Sequence, residues 1–316
     1  MLTLERIGRL AHARGDPAGC LKAYGEAETI ASELARQFPA NARYRRELGT
    51  IYTWLGNASG GPKYFNLGDS QRALDYYRRA IELTRELVSA DPKNTQAPLD
   101  LALVQGKISD VLAGSDPVQA VKYATGCLTG TAASKPGSTP LQAAVRINCL
   151  EILANAEDHA GNPGRAMQVR EEGEALNAER LRKNPSDLGA LEFRLLLLAR
   201  RGSSLAGLRQ WRRAEAEFAA ALEAAEGLSS QYPKDMYFHR DLAEVCERAA
   251  RFRAAQARAG IELPKNLKMA QQFAARAEKL WGQWPQMAVS SVYDQTNLRR
   301  VASLARELER NSWPKR

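Results

Sequence analysis

The chain has 316 residues, of which 44% are hydrophobic and 26% charged, and its formal net charge is +9. This composition is typical of a folded protein, and no apolar run approaches the roughly 18 residues that suggest a membrane span. The first residues reach charge at Glu5 and Arg6, which argues against a signal peptide. Because a helical pattern begins at the first residues, we expect a fragment of a longer protein, although a short natural start stays open.

Prolines that end long amphipathic segments recur roughly every 50 residues. Proline cannot continue a helix, and it restrains the residue before it. A second break lies near the middle of each interval, as in Gly15-Asp16-Pro17. Glycine suits the left-handed residue that closes one helix, Asp caps the next helix, and Pro is accepted at its first position. Each interval therefore predicts a helix A, a tight turn and a long helix B, such as Pro17–Phe38.

Six such helix pairs are predicted in chain order, followed by a polar helix that caps the exposed end of the array. The predicted units are 1–39, 40–92, 93–136, 137–185, 186–233 and 234–285, and the capping helix is 286–311. We treat 1–316 as a single array of these units.

Small residues at fixed offsets connect helix A to helix B. Gly8 precedes Cys20 by twelve residues, and Gly202 precedes Ala214 by the same number. A small residue on each helix lets the two axes approach to the low end of about 8–10 Å. We expect aromatic residues four positions after the small residue of helix B to fill the space beneath; they are Tyr24, Tyr77 and Phe218.

This pattern resembles the tetratricopeptide repeat (TPR) signature. The second unit carries it at Leu48, Gly49, Tyr52, Ala73, Tyr77 and Ala80. The first and fifth units fit without a gap, the third has two extra turn residues, the fourth has Arg170 where an aromatic is usual, and the sixth keeps only Ala270 and Ala277. The resemblance covers nearly the whole chain and implies an all-α, right-handed solenoid of antiparallel helix pairs. The interval is longer than the family's 34 residues, which implies an extended helix B.

The second unit contains an insertion, Asn57–Leu67. Its sequence resembles a segment in the repeat tails of bacterial serine/threonine kinases of the TPR-fused type, where it also precedes helix B. This finer resemblance implies that the chain is the non-catalytic, C-terminal part of such a signalling protein. Tyr64 and Phe65 in the insertion are candidates for contact with a partner; the alternative is that they pack over the neighbouring turn.

One short string matches the start of a kinase catalytic loop, His239-Arg240-Asp241-Leu242. That loop also needs Asn five residues after the Asp, where this chain has Cys246, and the string lies in a helical pattern. We therefore interpret the match as chance. The sequence contains no phosphate loop, nucleophile elbow or metal motif, so we predict neither an enzyme nor a cofactor.

The histidines and cysteines are interpreted as structural. His12 and His159 fall at groove-facing positions of helix A, where we expect solvated side chains. The four cysteines lie far apart, and Cys20 and Cys127 occupy small-residue positions, so we expect small core side chains in a reducing compartment. A cytoplasmic location is the default expectation; an extracytoplasmic one stays open if a membrane span lies upstream.

In a TPR array the A helices line the concave groove. By the matching positions, the resemblance implies a basic groove with one aromatic residue in the N-terminal half, turning acidic in the middle. Arg next to Trp favours an acidic or C-terminal peptide; the alternative is that these residues are merely solvated. The candidate groove residues are Arg9, His12, Arg43, Arg46, Thr50, Trp54 and Lys107, followed by Asp110, Asn155, Asp158 and His159.

The sequence therefore predicts a scaffold that binds a protein or peptide partner. The alternative is a nucleic-acid-binding repeat that uses the positive charge. Arg is spread over every unit and mixed with Glu, as in Arg170-Glu171-Glu172, which is typical of solvated helix faces. A gathering of Arg on one face of the folded chain would favour nucleic acid. The oligomeric state and the identity of the partner do not follow from the sequence.

Overall fold

A computed structural model of the protein describes residues 1–91, 93–132, 139–284 and 291–310. Within these ranges the chain forms thirteen α-helices and no strand, so the all-α prediction is confirmed. The helices are α1 (Leu2–Ala13), α2 (Pro17–Gln37), α3 (Ala42–Gly60), α4 (Ser70–Ala90), α5 (Gln96–Leu112), α6 (Pro117–Gly130), α7 (Pro140–His159), α8 (Pro163–Lys183), α9 (Leu188–Gly207), α10 (Trp211–Gln231), α11 (Met236–Arg258), α12 (Leu263–Trp281) and α13 (Val292–Arg310).

The turns within the pairs form as the local sequence predicts. Gly15 adopts a left-handed φ of 72°, and the next residue, Asp16, accepts a hydrogen bond from the Gly19 amide to cap α2. Gly68 and Asp69 do the same before α4. The turn after α9 differs, because the left-handed residue there is Arg209 rather than a glycine.

The helix ends agree with the sequence to different degrees. The predicted helix Pro17–Phe38 is α2, which ends one residue earlier at Gln37. The predicted capping helix 286–311 is α13, but it begins only at Val292. Residues 285–290 and 311 lie outside the described ranges.

Small residues on the A helices make room for aromatic rings of the B helices. A Cβ atom at Gly56 would overlap the ring of Tyr77, and one at Gly8 would overlap the ring of Tyr24. Both tyrosines are fully or almost fully buried. The close approach therefore depends on a glycine facing a ring, as well as on the paired small positions that the spacing indicates.

The chain divides into two compact units, which are described separately. Unit 1 comprises Met1–Asn162 and Trp284–Asp294; unit 2 comprises Pro163–Gln283 and the chain from Gln295 onward. The boundary separates α7 from α8, the two helices of the predicted fourth pair. A single continuous array over 1–316 stays a prediction.

Each unit is built from helices that pack on their neighbours in the chain. In unit 1, α2 packs on α1 and α3, and α5 packs on α4, α6 and α7. In unit 2, α11 packs on α9, α10 and α12 and is buried on most of its surface. No helix within the described ranges is long and apolar enough to cross a membrane.

Candidate partner-binding surface

The insertion of the second repeat forms a loop against the A helices of unit 1. Residues 57–60 of the predicted insertion are not part of this loop, because α3 continues to Gly60. We call Gly61–Asp69 the insertion loop. Its centre is Asn66, whose side-chain amide donates to the carbonyls of Gly61 and Tyr64 while its side-chain oxygen accepts from the Gly68 amide. One buried side chain thus holds both ends of the loop.

The backbone of the same residue is held by the C-terminal part of unit 1. The Asn66 amide donates to the Ser291 hydroxyl at 3.2 Å, and the Asn66 carbonyl accepts from the Val292 amide at 2.8 Å. These partners lie 225 residues or more away in sequence. No local pattern predicts them.

Four aromatic side chains meet where the insertion loop packs on α1 and α3. The His12 ring lies 5.3 Å from Trp54, 5.6 Å from Tyr64 and 5.8 Å from Phe65, measured between ring centroids. His12 is buried and Phe65 is completely buried. The expectation of a solvated His12 is therefore wrong, because the insertion loop covers the end of α1 at this point.

Trp54 is also committed to packing. Its ring stacks on Tyr24 at 5.7 Å with an interplanar angle of 6°. Together with its edge contact to His12, this places Trp54 between the first two repeats, where it is partly buried. The indole ring therefore packs between side chains of the protein and is not an open contact for a partner.

Polar side chains line a small cavity next to this cluster. Lys63 forms an ion pair with Asp110 at 3.0 Å, and the Lys107 ammonium donates to the Tyr64 hydroxyl at 2.6 Å. The Lys107 ammonium also lies 4.2 Å from the centre of the Tyr64 ring. The cavity has a volume of about 120 Å³, and it is lined by Pro62, Lys63, Tyr64, Tyr77, Leu103, Lys107, Asp110, Asn148 and Ile152.

Four other candidates, Arg9, Arg43, Arg46 and Thr50, lie on exposed parts of α1 and α3, whereas Asn155, Asp158 and the exposed His159 lie on α7. Arg46 pairs with Asp100 of α5 at 2.6 Å, and Arg43 pairs with Glu47 at 2.9 Å. The Asp100 hydrogen bond raises the pKa of Arg46, so this guanidinium stays charged. Thr50 bonds back to the Arg46 carbonyl, and Arg9 is exposed on α1.

The structure thus brings His12, Trp54, Tyr64, Phe65 and Lys107 into one cluster. Arg43, Arg46 and Thr50 form a separate exposed row toward the start of α3. Sequence reasoning missed Lys63 and Asn148 as members of the surface. Lys63 lies in the insertion, where helical spacing gives no information. The only sequence signal for a role of Lys63 is its position directly before the aromatic pair Tyr64-Phe65.

The string that resembles a kinase loop lies inside α11, as predicted. His239 bonds to Ser229 at 3.0 Å and to the Pro233 carbonyl at 2.9 Å, so it connects the end of α10 to α11. Asp241 is buried in unit 2. Within the described residues no group of three or more His, Cys, Asp or Glu side chains is arranged to hold a metal ion.

The cysteine prediction is partly wrong. Cys127 of α6 and Cys149 of α7 form a disulfide bond. A cysteine at a small core position can form a disulfide bond when another cysteine lies close to it on the next helix. Sequence spacing does not reveal whether two such cysteines are close in space. Disulfides persist in oxidising environments, so the bond argues against the reducing compartment that the cysteine pattern favours. Cys20 and Cys246 are free and buried, and burial raises the pKa of each thiol to about 12.

No protein-family model and no curated protein matches the sequence. Among solved structures, the apo form of RapI aligns with 98% of this chain and 99% of its own, at 11% identity and a TM-score of 0.53. A Rap protein complexed with competence and sporulation factor aligns with 96% of this chain and 74% of its own, at 9% identity and a TM-score of 0.51. A tetratricopeptide repeat protein from Parabacteroides merdae aligns with 95% and 98% of the two chains at 16% identity, but its TM-score of 0.36 carries no argument. At these identities the likeness concerns the fold alone, and the chain has a TPR-like, all-α helical repeat fold.

Proposed function

We propose that the protein is an interaction scaffold, and that the A-helix surface of unit 1 beside the insertion loop binds a peptide or an extended segment of a protein partner. The observation that carries this proposal is the polar cavity between the insertion loop and helices α5 and α7. A packed helical array needs no such opening for its own stability. Pockets with a few converging polar groups are the usual places of recognition.

The backbone of the loop supports a functional role. Lys63 adopts a left-handed φ of 68°, which costs a non-glycine residue about 1–3 kcal/mol and is concentrated at binding and active sites. This conformation accompanies the ion pair between Lys63 and Asp110 of α5. The loop therefore places a cation at the edge of the cavity at an energetic cost.

The charges of the cavity favour an acidic group on the partner. Lys63 and Lys107 face a single carboxylate there, that of Asp110. An ammonium group has three donors, and the Tyr64 hydroxyl accepts only one hydrogen bond from Lys107. A carboxylate of the partner would complete the coordination of Lys107.

The proposed contact differs from the pairing of Arg46 with Trp54 that the sequence favours. Arg46 is bound to Asp100, and Trp54 is stacked on Tyr24. Removing Trp54 would disturb the packing of the first two repeats and would not report on binding. Lys107 is the better probe, because its head group lies at the cavity while its helix is packed through other residues.

The test is selection of a phage-displayed library of random peptides on the folded protein, followed by affinity measurements on the Lys107→Ala variant. We expect the selected peptides to be rich in Asp and Glu and to lose about tenfold or more in affinity, since hydrogen bonds to charged groups contribute about 1.5–3 kcal/mol. Lys122→Ala is the matched control, because Lys122 is an exposed lysine on helix B of the same repeat. A selection that yields no peptide, or peptides that bind both variants equally, would refute the proposal.

We further propose that the chain is the non-catalytic repeat region of a bacterial signalling protein and has no enzymatic activity itself. Support comes from the sequence of the insertion, which resembles kinase repeat tails. The complete reading frame of the gene tests the context: a kinase catalytic domain upstream is expected, and a frame without one would contradict this part of the proposal.

A further inference from the structure

Arginine side chains gather around two carboxylates on α11 of unit 2. Glu247 is only 4% exposed, and it accepts hydrogen bonds from Arg251 of the same helix and from Arg300 of α13. Three residues earlier, Glu244 is paired with Arg248 at 2.9 Å and with Arg200 of α9 at 3.8 Å. Each of these glutamates thus forms ion pairs with two arginines.

Some other ion pairs of the described residues have a different ratio of arginine to carboxylate. The Arg78–Asp75 and Arg36–Glu33 pairs are each recorded between one cation and one anion on one helix. Arg201 shows the reverse ratio, with two glutamates, Glu174 and Glu217. Arg251, Arg300 and Glu247 by themselves carry a formal charge of +1.

The outer two arginines keep a large accessible surface. The side chains of Arg251 and Arg300 are 50% and 51% exposed, although both bind the same buried carboxylate. Arg300 binds it with two parallel hydrogen bonds of 2.8 and 2.7 Å. A guanidinium group has five N–H donors in a rigid plane. Glu247 therefore orients two guanidinium groups from different helices side by side, each with an accessible face.

We propose that Arg251 and Arg300 form a binding site for a phosphorylated side chain of a protein partner. A phosphate monoester carries close to two negative charges and three acceptor oxygens, which match two adjacent guanidinium groups and the surplus charge of the cluster. Planar, bidentate donors are the groups that proteins use for phosphate. Because Glu247 already holds both arginines, binding does not have to order them.

A phosphopeptide fits this surface better than a nucleic acid does. A nucleic-acid backbone presents one charge for every phosphate along its length, so it requires a continuous row of cations. Here Glu244 and Glu247 interrupt the arginines of α11, and Arg251 with Arg300 forms one local point of positive charge. The site lies in unit 2 and is independent of the cavity proposed in unit 1.

The test uses the full chain and a peptide library built around a central serine, in phosphorylated and unphosphorylated forms. We expect each phosphorylated peptide to bind more tightly than its unphosphorylated form, and to lose about tenfold or more in affinity for Arg251→Gln, because charge-assisted hydrogen bonds contribute about 1.5–3 kcal/mol. Arg251→Gln is preferred to Arg300→Gln, since Arg300 connects α13 to α11 and its loss can weaken packing. Arg78→Gln is the control, because the Arg78 side chain is 51% exposed, against 50% for Arg251, and belongs to an ordinary pair on α4.

Three outcomes would overturn the inference. Equal affinity for phosphorylated and unphosphorylated peptides would show that phosphate is not recognised. Equal weakening by Arg251→Gln and Arg78→Gln would show a general charge effect. Binding of a single-stranded oligonucleotide without binding of phosphopeptides would assign the cluster to nucleic acid instead.

Discussion

At the scale of single residues, the contact between Gly56 and Tyr77 shows why the repeat needs glycine on helix A. The Tyr77 ring lies against the Gly56 backbone, and its hydroxyl donates to the Asn57 side chain at 2.9 Å. The ring is thus held at both its face and its tip. A methyl group at position 56 would therefore require the buried Tyr77 ring itself to move, because no flexible end of a side chain lies there to give way.

We predict that Gly56→Ala destabilises the protein by about 1–3 kcal/mol, the usual cost of overpacking a core. Gly25→Ala is the control, because Gly25 also lies within a helix but has no atom within 4 Å of an added Cβ. The control should gain up to about 1 kcal/mol from helix propensity. Urea unfolding of both variants measures the difference; equal effects of the two substitutions would show that the ring does not impose the glycine.

Asp241 provides a second prediction at this scale. Burial raises the pKa of the Asp241 carboxyl well above its ordinary value, with further contributions from Glu192 and Glu244, while Arg240 and Arg200 oppose the shift. The folded protein therefore holds this proton more tightly than the unfolded chain, whose Asp pKa is about 3.9. The Asp241 carboxyl therefore contributes its full stabilisation below the pKa of the unfolded chain, and this contribution is lost as pH rises toward the pKa of the folded protein.

We expect the Asp241→Asn variant not to lose stability in this way as pH rises, because the Asn side chain is neutral at every pH. The free energy of unfolding of the variant should improve relative to the wild type between about pH 4 and the folded pKa. Urea unfolding at several pH values measures the difference. Parallel curves for the two proteins would mean that the carboxyl does not bind its proton more tightly in the folded state.

At the scale of secondary-structure elements, the disulfide connects helix B of the third repeat to helix A of the fourth. Cys127 and Cys149 are separated by 22 residues. Closing a loop of this length in the unfolded chain contributes about 3 kcal/mol to stability. The bond therefore strengthens the packing of α6 on α7, which is one of the helices that line the cavity.

We predict that the double substitution of Cys127 and Cys149 by Ser lowers the free energy of unfolding by about 3 kcal/mol. A reducing agent should destabilise the wild type and leave the double variant unchanged, which provides an internal control. Alkylation of the denatured, unreduced protein should label two cysteines, and the native protein should resist labelling because Cys20 and Cys246 are buried. Four labelled cysteines in the denatured sample would exclude the bond.

The helices themselves could be predicted well, but the insertion could not. Caps such as Asp16 and Asp69 act on amides within three residues, so the sequence contains both partners. The insertion loop depends on contacts of Asn66 with Ser291 and Val292. Local spacing does not reveal such contacts, and it does not indicate that α3 continues to Gly60, within the insertion.

At the scale of the whole molecule, the positive charge is distributed among ion pairs between and within helices. Arg46–Asp100 joins α3 to α5, and Arg300–Glu247 joins α13 to α11. A largely exposed pair such as Arg46–Asp100 contributes only about 0–1 kcal/mol, whereas the carboxylate of the Arg300–Glu247 pair is buried. The effect of these pairs is to intersperse negative charge among the arginines, which favours a protein partner over a nucleic-acid backbone.

The sequence by itself determined the helices and the glycine and aspartate turns between them, because these follow from interactions within a few residues of each other. Only the tertiary structure decided that His12 is buried beneath the insertion loop, that Cys127 bonds to Cys149, and that Lys63 and Lys107 share a cavity. It also decided that α7 and α8 belong to different units. Each of these depends on which helices and loops become neighbours in space, and periodicity records only which face of a helix is apolar.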